Sequence, residues 1–165
     1  MKFTVRNFHS DDFLTLWQID QSCFAPEIAY SKHELNSYIR RANSFTLVAE
    51  PAESKGEASF PLRAKTLGFV VAESGRRVGH IITIDVCAEA RGNRVGSALL
   101  RAAEQRLRVA GCVMVRLETA VDNIAALAFY KKHRYNVIKI FPRYYSNGVD
   151  ALLMEKDLLS AAASE

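Results

Sequence analysis

Cysteine is scarce in this chain of 165 residues, and no apolar run approaches the roughly 20 residues that a membrane-spanning helix requires. The three cysteines, Cys23, Cys87 and Cys112, are odd in number and widely spaced, with no CxxC pair or Cys/His cluster. That pattern excludes a disulfide framework and a zinc site of the usual spacing, and predicts small core residues and no metal. Met1 to Arg6 has no apolar signal-peptide core behind it, so the expectation is a soluble, cytoplasmic protein without a membrane partner. Charge of one sign is also weak. Twenty-two Lys and Arg against eighteen Asp and Glu leave +4, and the arginines are scattered with no basic and aromatic surface motif, which argues against nucleic acid. There is no internal repeat. What the chain does have is 49% apolar and 10% aromatic residues, enough to build a core and to exclude disorder. A single domain over 1–159 with a flexible tail over 160–165 is predicted.

The pattern of elements is mixed. Phe3 to Asn7 alternates as a strand, and Ser10-Asp11-Asp12 before Phe13 caps a helix carrying Leu16, Trp17 and Ile19. Ala25 to Tyr30 breaks that helix, and Ser31 with Glu34 at capping-box spacing starts another, which leaves an aromatic-bearing loop between the two. Phe45 to Ala49 reads as a strand, and Pro51 to Lys65 as an exposed loop. Thr66 to Glu73 and Val78 to Val86 are β-branched runs joined by a short turn, hence an antiparallel hairpin. A helix over Arg94 to Ala110 ends at Gly111, and Val113 to Thr119 is a strand. A helix capped at Asp122 or Asn123 runs to His133, before strands over Tyr135 to Phe141 and Ala151 to Asp157. The order implies an α/β (α+β) architecture, a mixed sheet with helices on both faces.

The segment Arg91-Gly92-Asn93-Arg94-Val95-Gly96-Ser97 joins a β-branched strand to a helix start. A helix N-terminus offers free N–H groups and roughly half a positive charge, and glycine admits a ligand close to the backbone, so the turn suits a phosphate. It is neither a P-loop nor a GxGxxG fingerprint. It resembles the acyl-CoA-binding motif of the GNAT acetyltransferase superfamily, Arg/Gln-x-x-Gly-x-Gly/Ala, with Arg94 where that pattern usually has glycine. Asn123-Ile124-Ala125-Ala126-Leu127-Ala128-Phe129-Tyr130 is similar to a second motif of the superfamily, with Arg134-Tyr135 in place of a closing Gly-Phe. The resemblance implies a mostly antiparallel sheet of six to seven strands and acetyl-CoA as the cofactor. The pantetheine arm would then pair with the backbone at Ile84, Asp85 and Val86, and Asn123 would be either a helix cap or a cofactor contact.

Strand alternation puts Glu118 on one face with Met114 and Arg116, and Tyr130 follows Asn123 by two helical turns. The resemblance implies that Glu118 is a water-mediated base and Tyr130 the acid that protonates the leaving thiolate. Without it, an Arg116-paired carboxylate and a core tyrosine are the plainer readings. Near pH 7.4, deprotonating an α-amine costs roughly 0.5 kcal/mol and a lysine amine roughly 4 kcal/mol, so a single carboxylate favours the α-amine.

Phe141 to Leu158, with its Tyr144-Tyr145 pair, resembles the closing hairpin of the N-terminal protein acetyltransferases, nearest in pattern to the ribosomal-protein-alanine branch. That likeness implies a protein or peptide N-terminus as acceptor, with a ribosomal protein as one candidate, held by Phe24, Pro26, Tyr30, Tyr144 and Tyr145. Taken alone, Asn147-Gly148 reads as a tight turn between tyrosine-bearing strands. The alternatives are acetylation of a small-molecule amine and a non-catalytic acyl-CoA-binding module.

Overall fold

The computed structural model describes residues 1–52 and 66–160. Most of the predicted 51–65 loop, and the predicted tail beyond Ser160, lie outside the described residues. The elements in chain order are β1 (Phe3–Asn7), α1 (Phe13–Cys23), α2 (Lys32–Ile39), β2 (Ser44–Pro51), β3 (Gly68–Ser74), β4 (Val78–Val86), α3 (Val95–Val109), β5 (Met114–Ala120), α4 (Ile124–Lys132), β6 (Asn136–Phe141) and β7 (Ala151–Asp157). Seven strands form one sheet in the order β1-β2-β3-β4-β5-β7-β6, antiparallel everywhere except between β4 and β5. The α/β architecture and the strand number agree with the sequence reading. No helix among the described residues is long and apolar enough to cross a membrane.

Alternation divides the strands between two cores. Leu47, Val70, Ala72 and Ile81 pack with Leu99, Ala103 and Leu107 of α3 and with Tyr130 of α4 on one face. Val48, Phe69 and Val71 meet Leu16, Ile19 and Leu35 of α1 and α2 on the other. Helix α3 lies so close to β4 that a Cβ on Gly79 would sit 2.7 Å from Leu107 Cδ1. Arg6 clamps the start of α1 to the first hairpin, with Nη1 and Nε each 2.8 Å from Asp12 and Glu50 carboxylate oxygens.

Two irregularities shape the middle of the sheet. Strands β4 and β5 pair only at Val78 with Met114, Gly79 with Val115 and His80 with Arg116. Beyond His80 they part, β4 remaining paired to β3 as far as Val86 and β5 to β7 as far as Ala120. Each strand thus presents one unpaired backbone edge to the gap between them. In addition, Thr83 pairs with Val71 and Ile81 with Ala72, which leaves Ile82 as an extra residue in β4. Such a bulge exchanges the faces of all later side chains. Gly79 and Ile81 face α3, whereas Asp85 faces α1.

Several local expectations are corrected. Only Cys112 is buried, while Cys23 and Cys87 are half-buried at the end of α1 and just after β4. Ser10–Asp12 is a 3-10 turn leading into α1, with Asp12 accepting the His9 N–H at 2.8 Å. Tyr144 and Tyr145 are not on strands. They lie in a loop of nine residues between Phe141 and Ala151, because the tight turn closes within it through Gly148 N–H to Tyr145 O at 2.9 Å.

Candidate active site

The gap between β4 and β5 opens beside the start of α3. Gly92 and Arg94 both adopt left-handed backbone, with φ of 77° and 65°, so the position where the superfamily pattern has glycine keeps a glycine-like conformation. The turn therefore retains its shape despite the arginine. The first N–H groups of α3 lack intrahelical partners, as at any helix start. A Cβ on Gly96 would meet Phe129 and Val86 at 3.5 Å, an ordinary contact, so packing within the protein does not require glycine there. Other predicted contacts are modified. Val95 is a core side chain and offers only its backbone, while Ser97 Oγ lies 2.9 Å from His133 Nε2. The exposed Arg91 guanidinium donates from Nε to Val86 O at 3.1 Å. Ile84 and Val86 pack on the α3 and α4 side, and the Asp85 side chain points away from it. Asn123 is the cap of α4, its Oδ1 accepting the Ala126 N–H at 3.1 Å.

Glu118 stands on the exposed side of β5, where the strands part. Its partner is not Arg116, which is bound to Glu155 at 2.7 Å, but His80 of β4, with Nε2 at 2.6 Å from Glu118 Oε2. The pair remains accessible, with side chains 39% and 21% exposed for His80 and Glu118. Tyr130 is buried with its ring edge-on to Phe129 and Tyr135. Burial above all, then the nearby Asp85 and Tyr145, pushes its phenol well above the ordinary value, so it is fully protonated at neutral pH.

Two loops border this pair. The α1–α2 loop, which contains Phe24, Pro26 and Tyr30, is joined to the β6–β7 loop by Ser146 Oγ, which donates to Glu27 O at 2.6 Å. Tyr144 and Tyr145 pack edge-on at 5.1 Å, and Tyr30 packs against Tyr38 at 5.2 Å. Burial first, then Tyr144, Glu118 and Asp122, raises the Tyr145 phenol to about 12. Tyr144 is raised by burial and by Glu118 and Tyr38. Of the predicted acceptor residues, Tyr144 and Tyr145 thus stand near Glu118 and Tyr30 near Tyr144, while Phe24 caps α1 and Pro26 is exposed on the loop. Sequence reasoning missed His80 and Tyr38, since the contacts that reveal them cross between strands and loops far apart in the chain. A separate cleft of about 700 Å³, bounded by Arg6, Asp12, Thr15 and Cys87, shares only Arg91 with these residues.

The acetyltransferase (GNAT) family model matches residues 12–135. The chain belongs to that family. The matched span includes Arg91–Ser97, Glu118, Asn123 and Tyr130 but ends before the Tyr144-Tyr145 loop. Over 93 residues the chain is 37% identical to an uncharacterized N-acetyltransferase of Methanocaldococcus jannaschii, covering 56% of this chain and 60% of that protein. An N-alpha-acetyltransferase of Sulfurisphaera tokodaii is 36% identical over 81 residues, 48% of each chain. The chain thus matches about half to three fifths of the length of these family relatives. Ard1 from Thermoplasma volcanium superposes with a TM-score of 0.80 at 26% identity, covering 95% of this chain and 98% of that one.

Proposed function

We propose that this family member is an acyl-CoA-dependent N-acetyltransferase that uses acetyl-CoA to acetylate the α-amine of a protein or peptide N-terminus. The observation that carries the acceptor assignment is the tie between the two loops, Ser146 to Glu27, which sets Tyr30 of one loop near Tyr144 of the other, while Tyr144 and Tyr145 stand near Glu118. A chain end enters such a walled site more easily than a mid-chain side chain, and its amine is the less costly one to deprotonate. A ribosomal protein is one acceptor of this class.

The residues present fit a CoA thioester. The edge of β4 from Ile81 to Val86, unpaired with β5 but with the Val86 carbonyl bound by Arg91, suits an amide-bearing arm, and the N–H groups of Val95, Gly96 and Ser97 suit a pyrophosphate, with Gly92 and Gly96 admitting it to the backbone. The bound thioester supplies the acetyl group. Glu118, oriented by its hydrogen bond to His80, accepts the amine proton through a water molecule. Nitrogen bonds to the acetyl carbon as the carbon–sulfur bond breaks, and Tyr130 supplies the proton that the departing sulfur needs. Intact-mass spectrometry of a peptide panel incubated with acetyl-CoA tests this. The expected result is acetylation of open N-termini and none of N-terminally blocked peptides that contain lysine. Acetylation of blocked lysine peptides or free polyamines alone would replace the N-terminal acceptor with a side-chain or small-molecule amine.

A further inference from the structure

We propose that Asp20 of α1 and Asp85 of β4 form a carboxyl pair sharing one proton, and that the pair is a positioning device tying the α1–α2 loop to the end of β4. Its role in acetyl transfer rests on the acceptor reading above. The two side chains are 0% and 1% exposed and lie within hydrogen-bonding reach of each other. Asp20 Oδ1 and Asp85 Oδ2 are both buried without a partner among the other groups of the described residues. Buried polar atoms are rarely left so, and one proton between these two oxygens satisfies both at once. Two ionised carboxylates in contact and out of water would instead repel.

The remaining oxygens show which acid is the anion. Asp20 Oδ2 accepts the Tyr30 N–H at 2.8 Å and Gln21 Nε2 at 3.1 Å, whereas among the described residues Asp85 Oδ1 accepts only the Thr83 hydroxyl at 2.9 Å. Asp20 is therefore the carboxylate and Asp85 the acid. Burial raises both, Asp20 to about 6 and Asp85 well above the ordinary carboxylate value. The other titratable groups facing the pair are Cys23 on α1, Glu34 on α2, Tyr30 on the loop, Arg91 on the turn after β4 and Tyr130 on α4. Arg91 is the one cation among them, and its guanidinium is already engaged by Val86 O and Cys23 Sγ.

The consequence for the loop is direct. Tyr30 is held at both ends of its peptide unit, its N–H by Asp20 and its carbonyl by Trp17 Nε1 at 3.1 Å and Gln21 Nε2 at 2.8 Å. Through Asp20 and Asp85 this anchor reaches β4 beside the gap, so the loop and the strand end keep one relative position. Loss of the shared proton at high pH places two anions together and loosens the tie.

The test uses the full chain with Asp20→Ala and Asp20→Asn. Asparagine can accept the Tyr30 N–H through its oxygen and donate its amide hydrogen to Asp85, replacing the proton. Hydrogen–deuterium exchange of residues 24–31, measured without substrates, is expected to rise at least tenfold in Asp20→Ala and to return within about threefold of wild type in Asp20→Asn. The KM for an open-N-terminus peptide should follow the same order, while the Kd for acetyl-CoA changes less than threefold in both. The ratio of wild-type to Asp20→Asn peptide KM should rise with pH, the titration of the peptide amine cancelling in the ratio. Asparagine as damaging as alanine, or unchanged exchange in Asp20→Ala, overturns the proposal, and if Asp20→Ala does not fold, a KM ratio flat from pH 6 to 9 does so. The predicted exchange contrast in a protein that leaves open N-termini unacetylated supports the pair and refutes the acceptor reading.

Discussion

Buried acids occur on both faces of the sheet, and they are handled in opposite ways. On the α3 face, Glu104 is 2% exposed and fully engaged, with Lys156 Nζ at 3.0 and 2.9 Å from its two oxygens and the Tyr135 hydroxyl donating at 2.9 Å. On the α1 face, Asp20 and Asp85 form no ion pair among the described residues, Arg91 being the one cation that faces them, and two of their oxygens lack a partner there. The first arrangement joins α3 to β7 and to Tyr135, the residue just before β6, and concerns the integrity of the core. The second lies beside the gap where β4 and β5 part, on whose other side His80 meets Glu118. Charge is neutralised by a partner where the fold must hold, and by a proton where the site must be positioned.

The largest effect that would sharpen this contrast lies on the site side. Tyr130→Phe removes one hydroxyl and should lower kcat about 10²- to 10⁴-fold, equivalent to roughly 3 to 5 kcal/mol, while acetyl-CoA still binds in calorimetry. A rate within twofold of wild type would make Tyr130 a packing residue. Lys156→Met, on the other face, strands a buried carboxylate and should destabilise the protein by about 3 to 5 kcal/mol in urea unfolding, with kcat per folded molecule unchanged. Equal damage to rate and stability from both variants would erase the division between the two faces.

The pH dependence of stability separates the faces further. Asp20 is raised from 3.8 to about 6, so the folded chain binds its proton more tightly than the unfolded chain does. That stabilisation is present below pH 4 and is lost as pH rises through about 6. Asp12 behaves in the reverse sense. Its value is held below the ordinary one against the opposing effect of burial, chiefly by the hydrogen bond from Arg6, and its contribution is lost as pH falls. Chemical denaturation across pH 4 to 8 should show wild type losing more stability than Asp20→Asn, and parallel curves would count against the raised value.

Gly96→Ala should weaken acetyl-CoA binding about tenfold, roughly 1.4 kcal/mol, with little change in melting temperature. The added methyl has room within the protein, so any loss reports the ligand. Unchanged affinity would move the pyrophosphate from the turn. The smallest effect concerns Arg134, with φ of 68° just after α4, where the superfamily pattern has glycine. Arg134→Gly should raise stability by at most about 1 kcal/mol in a thermal melt, since relief of the left-handed strain is partly offset by the entropy of glycine in the unfolded chain.

Local patterns carried much of this molecule. Apolar spacing in Val95 to Leu107, the Ser31 and Glu34 capping box and the alternation of Met114 to Ala120 are short-range features, and the helices and strands formed where they indicated. The Arg91–Gly96 turn was legible for the same reason, since the backbone shape of a strand-to-helix junction is encoded within a few residues, and it survived the replacement of a glycine by Arg94. Tertiary structure alone decided the partners. His80 and Glu118 are 38 residues apart and meet only because β4 and β5 run parallel for three residues before parting. Asp85 faces Asp20 because Ile82 is an extra residue that turns the end of β4 over, and no periodicity read along one strand can show a register set by its neighbour. Spacing along the chain fixes which side of an element a residue occupies, but the charge or proton that meets it there depends on packing between elements distant in sequence.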